Sequence, residues 1–232
     1  MKLPTLSTRL QACCNFISPG VRVADIGCDH GYLGIHLLLC GKAVSVIAAD
    51  VNQQPLDSAL RNANKYGIAD KMSFYLSDGV QSIPREFDTM VCAGMGADTM
   101  ISILDAAPWL KNEQYKLILQ CQSRRPELRR YLYEQGFTIT KETLAKDGKF
   151  IYPVMEVVYE PSAPLTPAGY HISPALLKSG SPLLPDFYQR VVDGIKTTVE
   201  GLSRSGGEKL KEFETVLCEL LEMEDAIYGN RS

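Results

Sequence analysis

The chain has 232 residues, 45% of them hydrophobic, enough to bury a sizeable core in one domain and leave room for a small second one. A net charge of −3 and a pI near 5.7 exclude the global positive field of a general nucleic-acid binder, so any such partner needs a local basic patch. Seven cysteines without CxxC spacing read as reduced core residues, neither disulfides nor zinc ligands, and no apolar run approaches the roughly 20 residues of a membrane span.

In chain order, the opening MKLPTLSTRL lacks the apolar core of a signal peptide, which makes cytoplasmic residence the expectation. Leu3, Leu6, Leu10, Cys13 or Cys14, and Ile17 keep helical spacing and predict a first helix. VRVAD at 21–25 predicts a strand and 31–40 a helix. The continuous apolar run VSVIAAD at 44–50 suits a strand buried on both faces. A helix near 53–66, strands at 72–76 and 87–94, a helix near 97–105, a strand at 115–121 and a glycine-ended helix at 127–136 continue the alternation. Five strands alternating with helices imply a parallel sheet covered on both faces. Two β-rich runs then flank Asp147-Gly148, the dipeptide of a tight hairpin, so an antiparallel pair closes a seven-stranded Rossmann-like α/β sheet, an order that resembles the class I methyltransferase architecture.

Residues 161–185 hold six prolines and are expected to form a linker or an extended wrap. Beyond them, Phe187, Val191, Ile195, Thr198 and Leu202, then Leu210, Phe213, Leu217 and Leu220, keep helical steps on either side of Ser205-Gly206-Gly207. They predict a C-terminal α-helical hairpin too small for a core of its own. The expected organisation is a cofactor-binding domain at 1–160, a linker at 161–185 and the hairpin at 186–232.

VADIGCDHGYLG, at 23–34, carries glycines where a strand turns into a helix, the usual place for a dinucleotide. A pyrophosphate brings negative charge to that helix N-terminus, and Asp29 opposes it. S-adenosylmethionine carries no phosphate but does carry a sulfonium and an ammonium. Asp25 and Asp29 suit that cationic end, and Gly27 and Gly31 let backbone approach it. Asp50, ending the second strand, is placed for ribose hydroxyls, and Asp78-Gly79, after the third, for the adenine amino group. Cys28 and Val51 sit beside these carboxylates and complete the expected lining. Each residue has a plainer use: Asp50 as a helix cap, Asp78-Gly79 as a turn, His30 as a loop residue, His36 as a helix-packing residue. No HExxH or Walker motif argues for zinc or a nucleoside triphosphate, and no metal is expected.

LSTRL (6–10), VADIGCDHGYLGI (23–35), AADVN (48–52), SDG (77–79), AGMG (93–96), LILQ (117–120) and GK (148–149) together resemble the bacterial tRNA (adenine-22-N1)-methyltransferase family through about residue 160. The resemblance implies S-adenosylmethionine as cofactor and tRNA as substrate. It also implies a site lined by Asp25, Gly27, Asp29, Asp50, Asp78 and Gly79, with Ala93, Gly94 and Met95 beside the transferred methyl. The chain departs from the family at Cys121 and Gln122, where proline and asparagine are expected, and at Ala97, where a second glycine is expected. Asp29 and the backbone at Gly94 are the candidates for stabilising charge, with Gln120 positioning the base. Between 121 and 152, seven Lys or Arg face four Asp or Glu. Arg124, Arg125 and Arg129, with Arg9, Lys146 and Lys149, form the candidate RNA patch. The helical hairpin is expected to grip RNA or to form a homodimer seam. Methyl transfer to a small molecule or protein, nicotinamide-dependent oxidoreduction and RNA binding without catalysis are the alternatives.

Overall fold

The computed structural model describes residues 3–204 and 206–229. Its elements run α1 (Thr8–Phe16), β1 (Val21–Ile26), α2 (Tyr32–Leu39), β2 (Ala43–Asp50), α3 (Gln53–Lys65), β3 (Met72–Leu76), β4 (Thr89–Met95), α4 (Ala97–Asp105), β5 (Lys116–Cys121), α5 (Arg125–Glu134), β6 (Phe137–Asp147) and β7 (Phe150–Tyr159). Four helices follow: α6 (Pro174–Leu177), α7 (Leu184–Ser203), α8 (Glu208–Glu222) and α9 (Glu224–Tyr228).

The seven strands form one sheet in the order β3-β2-β1-β4-β5-β7-β6, parallel except for β7, which runs antiparallel to both β5 and β6. Both faces are covered, which is why β2 and β5 read as unbroken apolar runs. On one face Cys13 and Cys14 of α1, Leu33, Ile35 and Leu37 of α2, and Leu56, Ala59 and Ala63 of α3 pack on Val23, Val46 and Ile118. On the other, Met100, Ile103 and Leu104 of α4 and Leu128 and Leu132 of α5 pack on Ala24, Met90 and Leu119. The 56, 59, 63 spacing puts the α3 contacts on one helical stripe. The Ser7 hydroxyl caps α1 by accepting from the Leu10 N–H at 3.4 Å.

A third core joins the end of the β6–β7 hairpin to the C-terminal helices: Leu144 and Ile151 meet Ala168, Ile172, Leu176, Phe187, Tyr188, Val192, Ile195, Val216 and Leu220. Residues 161–185 are therefore more ordered than a linker. They contain a short 3₁₀ turn at Ala168–Tyr170 and the helix α6, capped by Ser173, and they bury Ala168, Ile172 and Leu176 between sheet and hairpin. The hairpin seam also shifts from the expected spacing: Tyr188 and Val192 are buried, because α7 faces this strap and β7 as well as α8. The Tyr188 hydroxyl donates to the Leu220 carbonyl at 2.8 Å and pins α7 to α8. Of the predicted break between the helices, Gly206 and Gly207 take positive φ, and Ser205 lies outside the described residues, as do residues 1–2 and 230–232.

Candidate active site

The chain order reverses across the neighbouring strands β1 and β4, and the crevice past their carboxyl ends is where doubly wound sheets bind ligands. Asp25 pairs in register with Val91 and Ile26 with Cys92, so the turn after β1 and the end of β4 lie side by side. Between them is a cavity of about 340 Å³, within the range of small-molecule sites. Of the residues predicted from sequence, Asp25, Gly27, Cys28, Asp29, Ala93, Gly94 and Met95 line it. Gly31, Asp50, Val51, Asp78 and Gly79 lie outside its wall, further along the ends of β1, β2 and β3.

The turn is built from unusual backbone. Gly27 adopts φ +73°, a left-handed backbone that strains any L side chain and so requires glycine; a Cβ there would also displace the movable end of the Met95 side chain. Gly27→Ala is expected to destabilise the fold by about 1–3 kcal/mol, read as a lower thermal midpoint, and to weaken ligand binding at the turn. Asp29, also left-handed at φ +49°, donates its N–H to Asp50 Oδ2 at 3.4 Å. Its carboxylate is exposed and lies 3.6 Å from His30 Nε2. Standing just before the N-terminus of α2, it is favourable to the helix dipole and hostile to a phosphate at the same place. Asp50 accepts a further hydrogen bond from the Asn52 N–H at 3.0 Å in a local turn; the N-cap of α3 is Asn52, so Asp50 is not the helix cap that the sequence also allowed.

Asp25 is almost fully buried. Burial pushes its carboxyl up to about 7, opposed by a hydrogen bond from the Gly34 backbone and reinforced by the charge on Asp50. Burial likewise raises the thiols of Cys13, Cys28 and Cys92, with the charge of Asp25 adding to it, so these cysteines are inert protonated packing groups.

The two predicted sets outside the cofactor turn need correction. Gln120 is fully buried and absent from the cavity wall; its Oε1 accepts from Arg9 Nη1 at 2.7 Å, so it meets Arg9 and it is Arg9 that reaches the wall. Gln122, two residues on and exposed, lines the cavity instead. Arg9 belongs to the cavity wall as well as to the rim. It donates to Asp147 Oδ2 at 2.8 Å and would lie 3.5 Å from a Cβ on Gly94, itself at φ +86°. Leu10, His30, Tyr32 and Leu33 also line the cavity; their place within LSTRL and DHGYLG was the available signal.

Arg129 is not an RNA contact. It is buried in an ion pair with Glu142, because α5 turns it inward under the strap. Arg124 is exposed but paired with Asp98 at 2.7 Å and Glu127 at 3.3 Å. Arg125 lies over the Phe187 ring at 5.2 Å and donates to the Ile151 carbonyl at 3.3 Å. Lys146 and Lys149 are exposed on the β6–β7 turn, Lys149 over the Phe150 ring.

All seven cysteines are free. One departure from the sequence reading is that α1 and the end of α2 bring donor atoms of Cys14, His36 and Cys40 within 4.8 Å of one another, a grouping no linear spacing showed. His36 Nδ1 is engaged with the Pro4 carbonyl at 3.1 Å. Among the described residues, no helix is long and apolar enough to cross a membrane.

A parallel Rossmann-like sheet closed by an antiparallel β7, with an acidic glycine turn at its switch point, defines a methyltransferase fold. The chain belongs to the methyltransferase domain family, which matches residues 6–155. It is 35% identical over 146 residues to the tRNA (adenine(22)-N(1))-methyltransferase of Bacillus subtilis, an alignment covering 62% of this chain and 61% of that protein. The crystal structure of a B. subtilis tRNA methyltransferase superposes with a TM-score of 0.79 at 26% identity, covering 98% of this chain and 99% of that one. A Streptococcus pneumoniae protein solved with S-adenosyl-L-methionine gives a TM-score of 0.79 at 27% identity, covering 92% and 100%. The C-terminal helices are thus shared by these solved structures, although the sequence alignment with the curated relative spans less than two thirds of it.

Proposed function

We propose that this chain transfers the methyl group of S-adenosylmethionine to N1 of an adenine in tRNA, adenine 22 by likeness to its relatives. The observation that carries the reading is the cavity at the switch point, walled by Asp25 and Asp29 on one side and Ala93, Gly94 and Met95 on the other. It offers carboxylates to a cationic ligand and repels a pyrophosphate. The buried Asp25 carboxyl, with no cationic side chain paired to it among the described residues, fits a ligand that brings its own positive charge. The half-buried Arg9 guanidinium in the same wall fits the amino-acid carboxylate. Asp50 and Asp78 remain the candidates for ribose hydroxyls and the adenine amino group.

When bound, the cofactor supplies an electrophilic methyl on a sulfonium. The protein's own residues then have little covalent work to do. Adenine N1 carries a free lone pair, so no base is needed to generate the nucleophile. Alignment of the two reactants by the wall residues Gly94, Met95 and Gln122 is the main contribution. Near-attack positioning of this kind is worth up to about 7–11 kcal/mol of barrier. The exposed Asp29 carboxylate is suited to stabilise the positive charge that the methylated base acquires.

Lys146, Lys149 and Arg125, together with the helical hairpin, are the surface proposed to meet the tRNA, with the hairpin as RNA grip in preference to a homodimer seam. Incubation of the protein with isotopically labelled S-adenosylmethionine and bulk tRNA, followed by nucleoside analysis, is expected to yield labelled 1-methyladenosine. Label in any other nucleoside, or none, overturns the substrate.

A further inference from the structure

A second cavity, of about 500 Å³, opens beside the first, and Gln122 is in the wall of both. The start of β7 supplies Phe150 and Tyr152 to it, α7 supplies Phe187 and Arg190, and the start of α5 supplies Arg125. Its wall holds two guanidinium groups and no carboxylate. Phe150 is 51% exposed although it is a large apolar ring, and it lies 5.9 Å from Tyr152. The Arg9 guanidinium, part of the first cavity, stands 5.7 Å from the Tyr152 ring, so the two cavities share a continuous wall.

An exposed ring beside cations is poorly explained by folding. It exposes apolar surface without covering a core, and Phe150 is absent from the three buried clusters. Arg190 is held by its hydrogen bond to the Lys149 carbonyl at 2.7 Å, and Arg125 by its bond to the Ile151 carbonyl and its place over Phe187. Both therefore fix their charge at the cavity through backbone acceptors, and the cavity wall sets no carboxylate beside them. Aromatic faces with flanking guanidinium groups are the chemistry that receives an unstacked nucleobase and its phosphate. Enzymes acting on a base bring it out of the stack into such a pocket.

We infer that this second cavity holds the target adenine nucleotide, its base stacked on Phe150 and its adjoining phosphate facing Arg190 and Arg125, so that N1 reaches past Gln122 into the first cavity. The inference rests on the tRNA reading and adds a consequence to it: α7 of the helical hairpin forms part of the base pocket, beyond any role in gripping the outside of the RNA.

The test uses the full chain saturated with S-adenosylhomocysteine, which keeps the first cavity occupied, and follows adenosine 5′-monophosphate by saturation-transfer NMR. Wild type is expected to saturate the adenine protons. Phe150→Ala should weaken binding about fivefold or more, the scale of one lost base–aromatic stack, and Phe150→Tyr should restore it. Arg190→Glu should remove the preference for the monophosphate over adenosine. In parallel, Phe150→Ala should slow single-turnover methylation of tRNA with cofactor affinity unchanged. No saturation in wild type, or saturation indifferent to Phe150→Ala, overturns the pocket even where tRNA is methylated. Phe150-dependent binding by a wild type that makes no 1-methyladenosine instead sinks the tRNA reading and leaves an adenine-nucleotide pocket standing.

Discussion

Asp25→Asn is expected to cost the protein most of its affinity for S-adenosylmethionine while leaving the sheet intact. Hydrogen bonds to a charged partner are worth about 1.5–3 kcal/mol, so calorimetry should show a loss of roughly 10- to 150-fold. The pH dependence gives a second handle. The Asp25 carboxyl, ordinarily at 3.8, is pushed up to about 7 by burial, so between those values the folded state holds a proton that the unfolded state has released. Its contribution to stability is therefore full below about pH 4 and lost as pH rises through 7. Binding of a cation runs the other way: it favours the ionised carboxylate, and affinity should climb with pH up to about 7 and then level. His171 has the opposite effect on the free protein, because burial, aided by the charge of Arg129, lowers it from 6.5 to about 4, and its stabilisation is lost as pH falls through that window. Subtracting the Asp25→Asn curve from the wild-type curve cancels His171 and isolates the Asp25 slope. A variant that binds as wild type does, or a wild-type affinity that does not climb from pH 4 to 7, removes Asp25 from the cation site.

The strands at the centre of the sheet were legible because a strand buried on both faces has few residue choices: VSVIAAD and YKLILQC have no polar alternation to suggest anything else. The hairpin was legible through Asp147-Gly148, whose glycine indeed takes φ +58° at the turn between β6 and β7. The acidic turn was legible because its glycines and carboxylates are neighbours in the chain, and local backbone conformation decides where they point. Side-chain direction across distant elements was not. An arginine in a helix reads the same whether it faces solvent, as Arg130 does, or a buried glutamate, as Arg129 does. Gln120 and Gln122 carry one side chain at nearby positions, and only the end of β5 and the arrival of Arg9 from α1 decide which meets the cavity. The strap at 161–185 was legible only as a choice between linker and wrap, for a related reason: its prolines forbid long elements but say nothing about whether Ile172 and Leu176 find a surface to bury against.

Arg129→Ala is expected to be the most destabilising single change outside the apolar core. Its guanidinium is paired with the buried Glu142 carboxylate and donates to the Tyr170 carbonyl at 3.0 Å, while the second Glu142 oxygen accepts from the Ser173 hydroxyl. One network thus ties α5, β6 and the strap together, and Ser173 also caps α6 through the Leu176 N–H at 3.0 Å. Removing the arginine leaves an uncompensated buried carboxylate, which costs about 3–5 kcal/mol. Against the roughly 5–15 kcal/mol of a typical domain, that loss should move the denaturant midpoint far down. Replacing both partners by apolar groups, Arg129→Met with Glu142→Leu, should recover most of it, since the penalty lies in the orphaned charge more than in the lost attraction. Function should follow the strap. It packs between the sheet and α7, and α7 carries Phe187 and Arg190 to the second cavity. At a temperature where Arg129→Ala is still folded, tRNA methylation should fall while S-adenosylmethionine affinity holds, because the first cavity is walled without the strap. Equal losses in both would mean that the network supports the whole sheet, and an unchanged denaturant midpoint would mean that the Arg129–Glu142 pair does not hold the strap at all.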